Sequence, residues 1–158
     1  MRPVTPDDFD TVYDIYMDET VNPFMHYEQC SREDFKCIFQ DLMKRDYFWL
    51  FQHNGQDYGM CGVIVGKART SHVAMLVTLG IKKDFQGRGL GKKIVKDVIN
   101  FVKGQGFIRV ELQAEADNDK AISFYEKMGF IIEGRQTKFL KRANDNHYVD
   151  EIMMAQVF

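Results

Sequence analysis

The stretch DFQGRGLGKKIVKDVINFV, Asp84 to Val102, places Gly87, Gly89 and Gly91 at alternating positions and follows them with Lys92, Lys93 and Lys96. Alternating glycines let a backbone bend tightly and let its amides approach a ligand closely. The first amides of a helix are unpaired and its macrodipole is positive there, so this spacing describes an anion site with phosphate as the natural occupant. Two common phosphate loops fail by position. A Walker A loop needs glycine where Gln86 stands and a hydroxyl where Lys93 stands. A Rossmann fingerprint needs its third glycine at Lys92 and an acidic residue about 20 positions on, where Gly106 and Phe107 stand.

A second set of able side chains follows. In FIRVELQAEA, Arg109, Glu111, Gln113 and Glu115 alternate with Ile108, Val110, Leu112 and Ala114, the pattern of a strand with one polar and one apolar face. Beyond it, Asn118 to Met128 reads as a helix: Asn118 as cap, Lys127 near the C-terminal dipole and Gly129 as a left-handed stop. Tyr125 lies one turn past Ala121, on a face expected to be buried.

Other elements must hold these two stretches in place. MRPV reads as a short strand, and Thr5 with Pro6 starts a helix carrying Phe9, Val12, Tyr13 and Tyr16. Ser31 and Asp34 open a second helix with Phe35, Ile38, Phe39 and Leu42 as its stripe. Tyr47 to Gly66 reads as two strands around Asn54-Gly55, a strong hairpin signal. His72 to Ile81 is almost continuously apolar, as in a strand covered on both faces. The helix from Gly89 to Lys103 buries Leu90, Ile94, Val98, Phe101 and Val102, with the lysines largely off that stripe. FIIEGRQTKFL and YVDEIMMAQVF, split by ANDN, form a closing hairpin. The order is β-α-α-β-β-β-α-β-α-β-β, a mixed sheet with one parallel crossover.

Composition narrows the function classes. The chain has 158 residues, 45% of them hydrophobic, enough for a core without staples. A formal charge of -2 argues against an obligate nucleic-acid binder. Cys30, Cys37 and Cys61 are odd in number and form no CxxC, and the four histidines lack ligand spacing, so no metal and no disulfide framework are expected. The polar start MRPVTPDDFD shows no signal peptide, and no apolar run approaches the roughly 20 residues of a bilayer span. A cytoplasmic protein without membrane partners is the expectation.

QGRGLG, Gln86 to Gly91, matches the pattern Q/R-x-x-G-x-G/A, and NDKAISFYEKMGF, Asn118 to Phe130, matches N-x-x-A-x-x-x-Y-x-x-x-G-F. In this order and spacing the chain resembles the GNAT superfamily of N-acetyltransferases. The motifs cover roughly Val73 to Phe130, and the element order extends the likeness over nearly the whole chain. The resemblance implies an α/β fold with a mixed, mostly antiparallel sheet, one parallel βαβ crossover and helices on both faces. It also implies one acyl-CoA-binding domain over residues 1–158. Acetyl-CoA would be the co-substrate. Its pyrophosphate would rest on Gln86, Gly87, Arg88, Gly89, Leu90, Gly91 and Lys92, and its pantetheine arm would follow Leu79, Gly80 and Ile81. Asn118, Ala121, Phe124 and Tyr125 would flank the arm and the thioester.

The same resemblance makes Tyr125 the general acid, since a tyrosine near its ordinary pKa of about 10 keeps a proton for the departing thiolate. Some members carry a glutamate five residues before the motif asparagine, where this chain has Gln113. Glu111 and Glu115 share that strand face, and Glu111 is the expected base, acting through a water. The ending YVDEIMMAQV is similar to that of members acetylating free amino acids or other small amines, so a small-molecule amine is the expected acceptor. A protein N-terminus or lysine, and an acyl-CoA-binding module without turnover, stay open as alternatives. So does a homodimer.

Overall fold

The computed structural model describes all of residues 1–158. Its strands are β1 (Arg2–Pro3), β2 (Tyr47–His53), β3 (Gln56–Val65), β4 (Val73–Ile81), β5 (Arg109–Glu115), β6 (Ile131–Leu140) and β7 (Val149–Val157). Its α-helices are α1 (Phe9–Tyr16), α2 (Arg32–Leu42), α3 (Leu90–Gly104) and α4 (Asp119–Lys127). The strands form one mixed seven-stranded sheet in the order β1-β2-β3-β4-β5-β7-β6. Val73–Met75 of β4 pair in parallel with Arg109–Glu111 of β5, while β1–β2, β2–β3, β5–β7 and β6–β7 are antiparallel. The expected order and the parallel crossover are both present. Two compact units divide the chain: Met1–Ile64 with Leu76–Val98, and Val65–Met75 with Ile99–Phe158.

In the first unit, local signals act as their chemistry dictates. Asn54 and Gly55 take φ of 50° and 77°, the left-handed pair whose twist suits a two-residue hairpin. Asp8 accepts from the Thr5 amide at 2.8 Å and its hydroxyl at 2.9 Å, which fixes the turn leading into α1. Hydrogen bonds from Arg2 hold the Asp8 carboxyl down to about 2 despite its burial. Ser31 Oγ accepts the Asp34 amide at 3.2 Å and starts α2. Val12, Ile15 and Tyr16 of α1 meet Phe35, Phe39 and Leu42 of α2 over Phe48, Leu50 and Met60. Burying such side chains is worth roughly 1.5–3 kcal/mol each. Cys61 of β3 is also fully buried, and burial pushes its thiol up to about 12.

In the second unit, Gly106 (φ 88°) follows the end of α3 at Gly104, and the Phe107 amide reaches back to Val102 O at 3.1 Å, a left-handed cap. β7 lies between β5 and β6, so its residues face partners on both sides.

Four expectations need correction. β4 is not covered on both faces: Ala74, Leu76 and Gly80 are buried, while Val73, Met75, Val77, Leu79 and Ile81 are partly exposed. An apolar run marks both faces alike, and only the neighbours decide which is sealed. Ile108 stands outside β5 and is exposed, because the strand begins at Arg109. The α3 stripe also includes Val95 and Ile99, and Phe101 is only half-buried; a stripe on a 3.6-residue period is wider than a single row. No residue of α4 is buried, so Tyr125 sits half-exposed and not on a sealed face.

Candidate active site

The glycine loop belongs to the first unit. β4 ends at Ile81, a single turn spans Lys83–Phe85, and Gly87 and Gly89 follow with φ of 73° and 75°. A Cβ built on either would meet nothing within 4 Å. These two glycines serve backbone conformation and not packing. Gly91 differs: it lies inside α3 and needs no left-handed φ. Two left-handed glycines thus lead into the start of a helix of four turns, whose first amides and dipole favour an anion.

Gln86 ties down the loop's root. Its Nε2 donates to Ile81 O and to Thr20 Oγ1, both at 2.8 Å. Thr20 Oγ1 donates in turn to Asp18 Oδ1 at 2.5 Å. Burial pushes Asp18 up, but bonds from the Thr20 hydroxyl and amide and from the Lys83 amide outweigh it, so the carboxyl lies below its usual range. Among the lysines, Lys93 pairs with Asp97 at 2.8 Å, while Lys92 and Lys96 extend from an exposed face. Arg88 packs over Phe85.

The strand before the loop is unusual. Gly80 is buried so closely that a Cβ would come within 3.0–3.1 Å of Ile15, Val21 and Met25. Thr78 takes a φ of 55°, a genuine outlier for a β-branched residue and a place where backbone strain gathers. It precedes the Leu79–Ile81 segment expected to carry the pantetheine arm.

The second unit holds the rest of the expected residues. Asn118 Oδ1 accepts the Ala121 amide at 3.1 Å and caps α4 as anticipated. The Tyr125 ring meets Phe124 edge-on with centroids 5.1 Å apart, and Phe130 at 5.7 Å. Glu111 accepts from Arg109 Nε at 3.0 Å, and Arg109 also holds Glu133. The expected base is therefore committed to an ion pair. Glu115 accepts from Arg142 Nη2, which bonds Asp117 as well. Burial raises Glu115 above the usual carboxylate range against the pull of Arg142. The structure thus gathers Leu79–Lys92 in the first unit, and Glu111, Asn118, Ala121, Phe124 and Tyr125 in the second. No group of three His, Cys, Asp or Glu side chains is placed to hold a metal.

Sequence reasoning passed over Glu151. It lies in β7 opposite Glu115, 7% exposed, and burial with the nearby Glu115 charge raises its carboxyl to about 7. The available signal was an acid set in the apolar run EIMMA.

Residues 9–130 match the acetyltransferase (GNAT) family. The chain belongs to that family. This GNAT chain is 30% identical over 135 residues to MJ1207 of Methanocaldococcus jannaschii, an uncharacterized N-acetyltransferase. That match covers 82% of this chain and 59% of the archaeal protein. It is 32% identical over 75 residues to the mycothiol acetyltransferase of Corynebacterium efficiens, covering 48% of this chain and 25% of that protein. The chain thus spans less than two thirds of the length of these relatives. Its fold is similar to the Escherichia coli ribosomal-protein-S18-alanine N-acetyltransferase, with a TM-score of 0.77 at 20% identity over 99% of this chain and 91% of that one. No helix is long and apolar enough to cross a membrane.

Proposed function

We propose that this GNAT protein moves the acetyl group of acetyl-CoA directly to the primary amine of a small molecule, a free amino acid or similar amine. The observation that carries the reading is the loop before α3, where two left-handed glycines with open Cβ sides lead into a long helix. Such a nest fits a pyrophosphate. Gln86 stiffens it, and the amides from Arg88 to Lys92 hold the charge. Leu79, Gly80 and Ile81 offer backbone groups to the pantetheine arm, and one of their amides receives the developing oxyanion. Asn118, Ala121 and Phe124 flank the arm.

The neutral amine attacks the thioester carbonyl, the carbon–sulfur bond breaks, and Tyr125 gives its proton to the departing sulfur. Glu111, beside Arg109, draws a proton from the amine through a water. The ending YVDEIMMAQV supports a small acceptor, and residues 1–158 act as one catalytic domain.

A thermal-shift measurement with acetyl-CoA tests the coenzyme. At a hundredfold excess over its Kd, binding adds about 2.7 kcal/mol, roughly 5–10 °C in Tm; no shift sinks the reading. Thiol release against amino acids, polyamines and peptides then selects the acceptor. Peptides with a free N-terminal alanine enter the panel because the E. coli enzyme of similar fold is named for that acceptor. Turnover confined to them moves the acceptor class to protein N-termini. Binding without turnover on any amine leaves a coenzyme-binding module.

A further inference from the structure

Glu115 of β5 and Glu151 of β7 are direct partners across the sheet, and Gln136 of β6 is the partner of Glu151 on its other side. Directly opposed residues project from the same sheet face. Three polar side chains from three adjacent strands therefore stand together, all within the second unit. On the same face of β7, Val149 and Ala155 are buried apolar residues.

The Glu151 side chain differs from its neighbours in having no hydrogen bond and no ion pair, although the residue is only 7% exposed. Gln136 Oε1 accepts from Gln113 Nε2 at 3.1 Å. The nearby guanidinium of Arg142 is divided among Glu115, Asp117 and Asp145, and its Nε is buried without a partner. Nothing cationic is left for Glu151. A buried carboxyl without a partner is costly, and an apolar residue would pack there without that cost. An ammonium group, with three donors and no acceptor, matches what the site lacks.

We propose that the Glu115–Glu151 pair receives the ammonium group of the acceptor and that Glu151 takes its first proton. This rests on the acyl-transfer reading above. The carboxylate of Glu151 accepts one proton from R–NH3+, leaving R–NH2, and later returns it to water. Nitrogen then bonds to the thioester carbon, its second proton passes through a water to Glu111 and on to solvent, and sulfur leaves with the proton of Tyr125, which is restored from solvent. One proton is released per turnover. Glu111 cannot substitute directly: it is held by Arg109 and lies four residues, about 13 Å, along β5 from Glu115.

The charged group facing Glu151 is Glu115 from β5, with neutral Gln136 on β6; Arg142 acts on Glu115, and Asp117 and Asp145 share that guanidinium, with His147 acting on Asp117. Burial first, and the Glu115 charge second, raise Glu151 from 4.5 to about 7, so the proton-taking form fills across neutral pH.

The test combines Glu151→Gln, Glu115→Gln and Glu111→Gln with two readouts, kcat/KM for the best amine between pH 5.5 and 9 and a carboxyl 13C NMR titration of Glu151 with that amine. Glu151→Gln is expected to keep the acetyl-CoA thermal shift, lose at least tenfold in kcat/KM, and lose the rise in rate through pH 7. Added amine is expected to lower the Glu151 titration midpoint in the wild type. An unchanged profile in Glu151→Gln, with an active wild type, overturns the pair and leaves the acyl-transfer reading standing. An amine panel that neither turns over nor moves the titration overturns the pair outright. A wild type without the acetyl-CoA shift removes the acyl-transfer reading instead.

Discussion

The glycine loop and the Glu115–Glu151 pair are opposite solutions to placing polar chemistry. The loop uses backbone only: Gly87 and Gly89 have empty space where a side chain would go, and their φ values carry the design. The pair uses side chains only, set by the register of β5, β7 and β6, with Glu151 buried and Glu115 partly so. One region is relaxed and asks for an anion. The other stores a desolvated acid and asks for a cation. The molecule spends little stability on the loop and considerably more on the acidic pair.

That contrast can be broken by experiment, and Glu151→Gln should give the largest effect. The unfolded chain loses the Glu151 proton from about 4.5 upward, whereas the folded chain holds it to about 7. The fold therefore loses stability as pH rises through that window and does not regain it above. Glutamine removes the loss. The variant should be more stable than the wild type by about 3 kcal/mol at pH 8 and equal to it near pH 4, read by denaturant unfolding at both pH values. Equal gains at both would show that the carboxyl is not the source of the strain.

Tyr125→Phe comes next, with turnover at least tenfold lower and coenzyme affinity nearly kept, a loss of about 1.4 kcal/mol in transition-state stabilisation. Unchanged turnover would remove Tyr125 as the acid. Gly87→Ala and Gly89→Ala should each cost about 1–2 kcal/mol, from left-handed backbone and not from collision. A double variant whose losses fail to add would show that the two turns form one unit. Asn118→Ala, which removes the cap of α4, should cost about 1 kcal/mol; a smaller loss, read as a smaller Tm change, would mean that the cap adds little to the stability of α4.

How early each region could be read follows from how local its physics is. Gly87 and Gly89, Asn54-Gly55, and the caps at Ser31 and Asn118 depend on residues within one turn of each other, and each is where the sequence places it. The parallel crossover follows from element order. The acidic pair depends instead on which residue of β7 lies opposite which residue of β5. A shift of one position would turn Glu151 to the other face, and nothing local fixes that register. The half-exposed α4 and the partly open face of β4 escaped for the same reason: periodicity shows which side is apolar, and neighbours decide whether it is covered.

The Arg142 cluster has a kinetic consequence. Glu115, Asp117 and Asp145 surround one guanidinium, so a negative surplus remains there even while Glu151, beside Glu115, keeps its proton. Its field reaches about 8 Å at physiological ionic strength and shrinks as salt is added. Cationic acceptors would be drawn in before they touch the protein, and their capture would slow with every increment of salt while the chemical step held its pace.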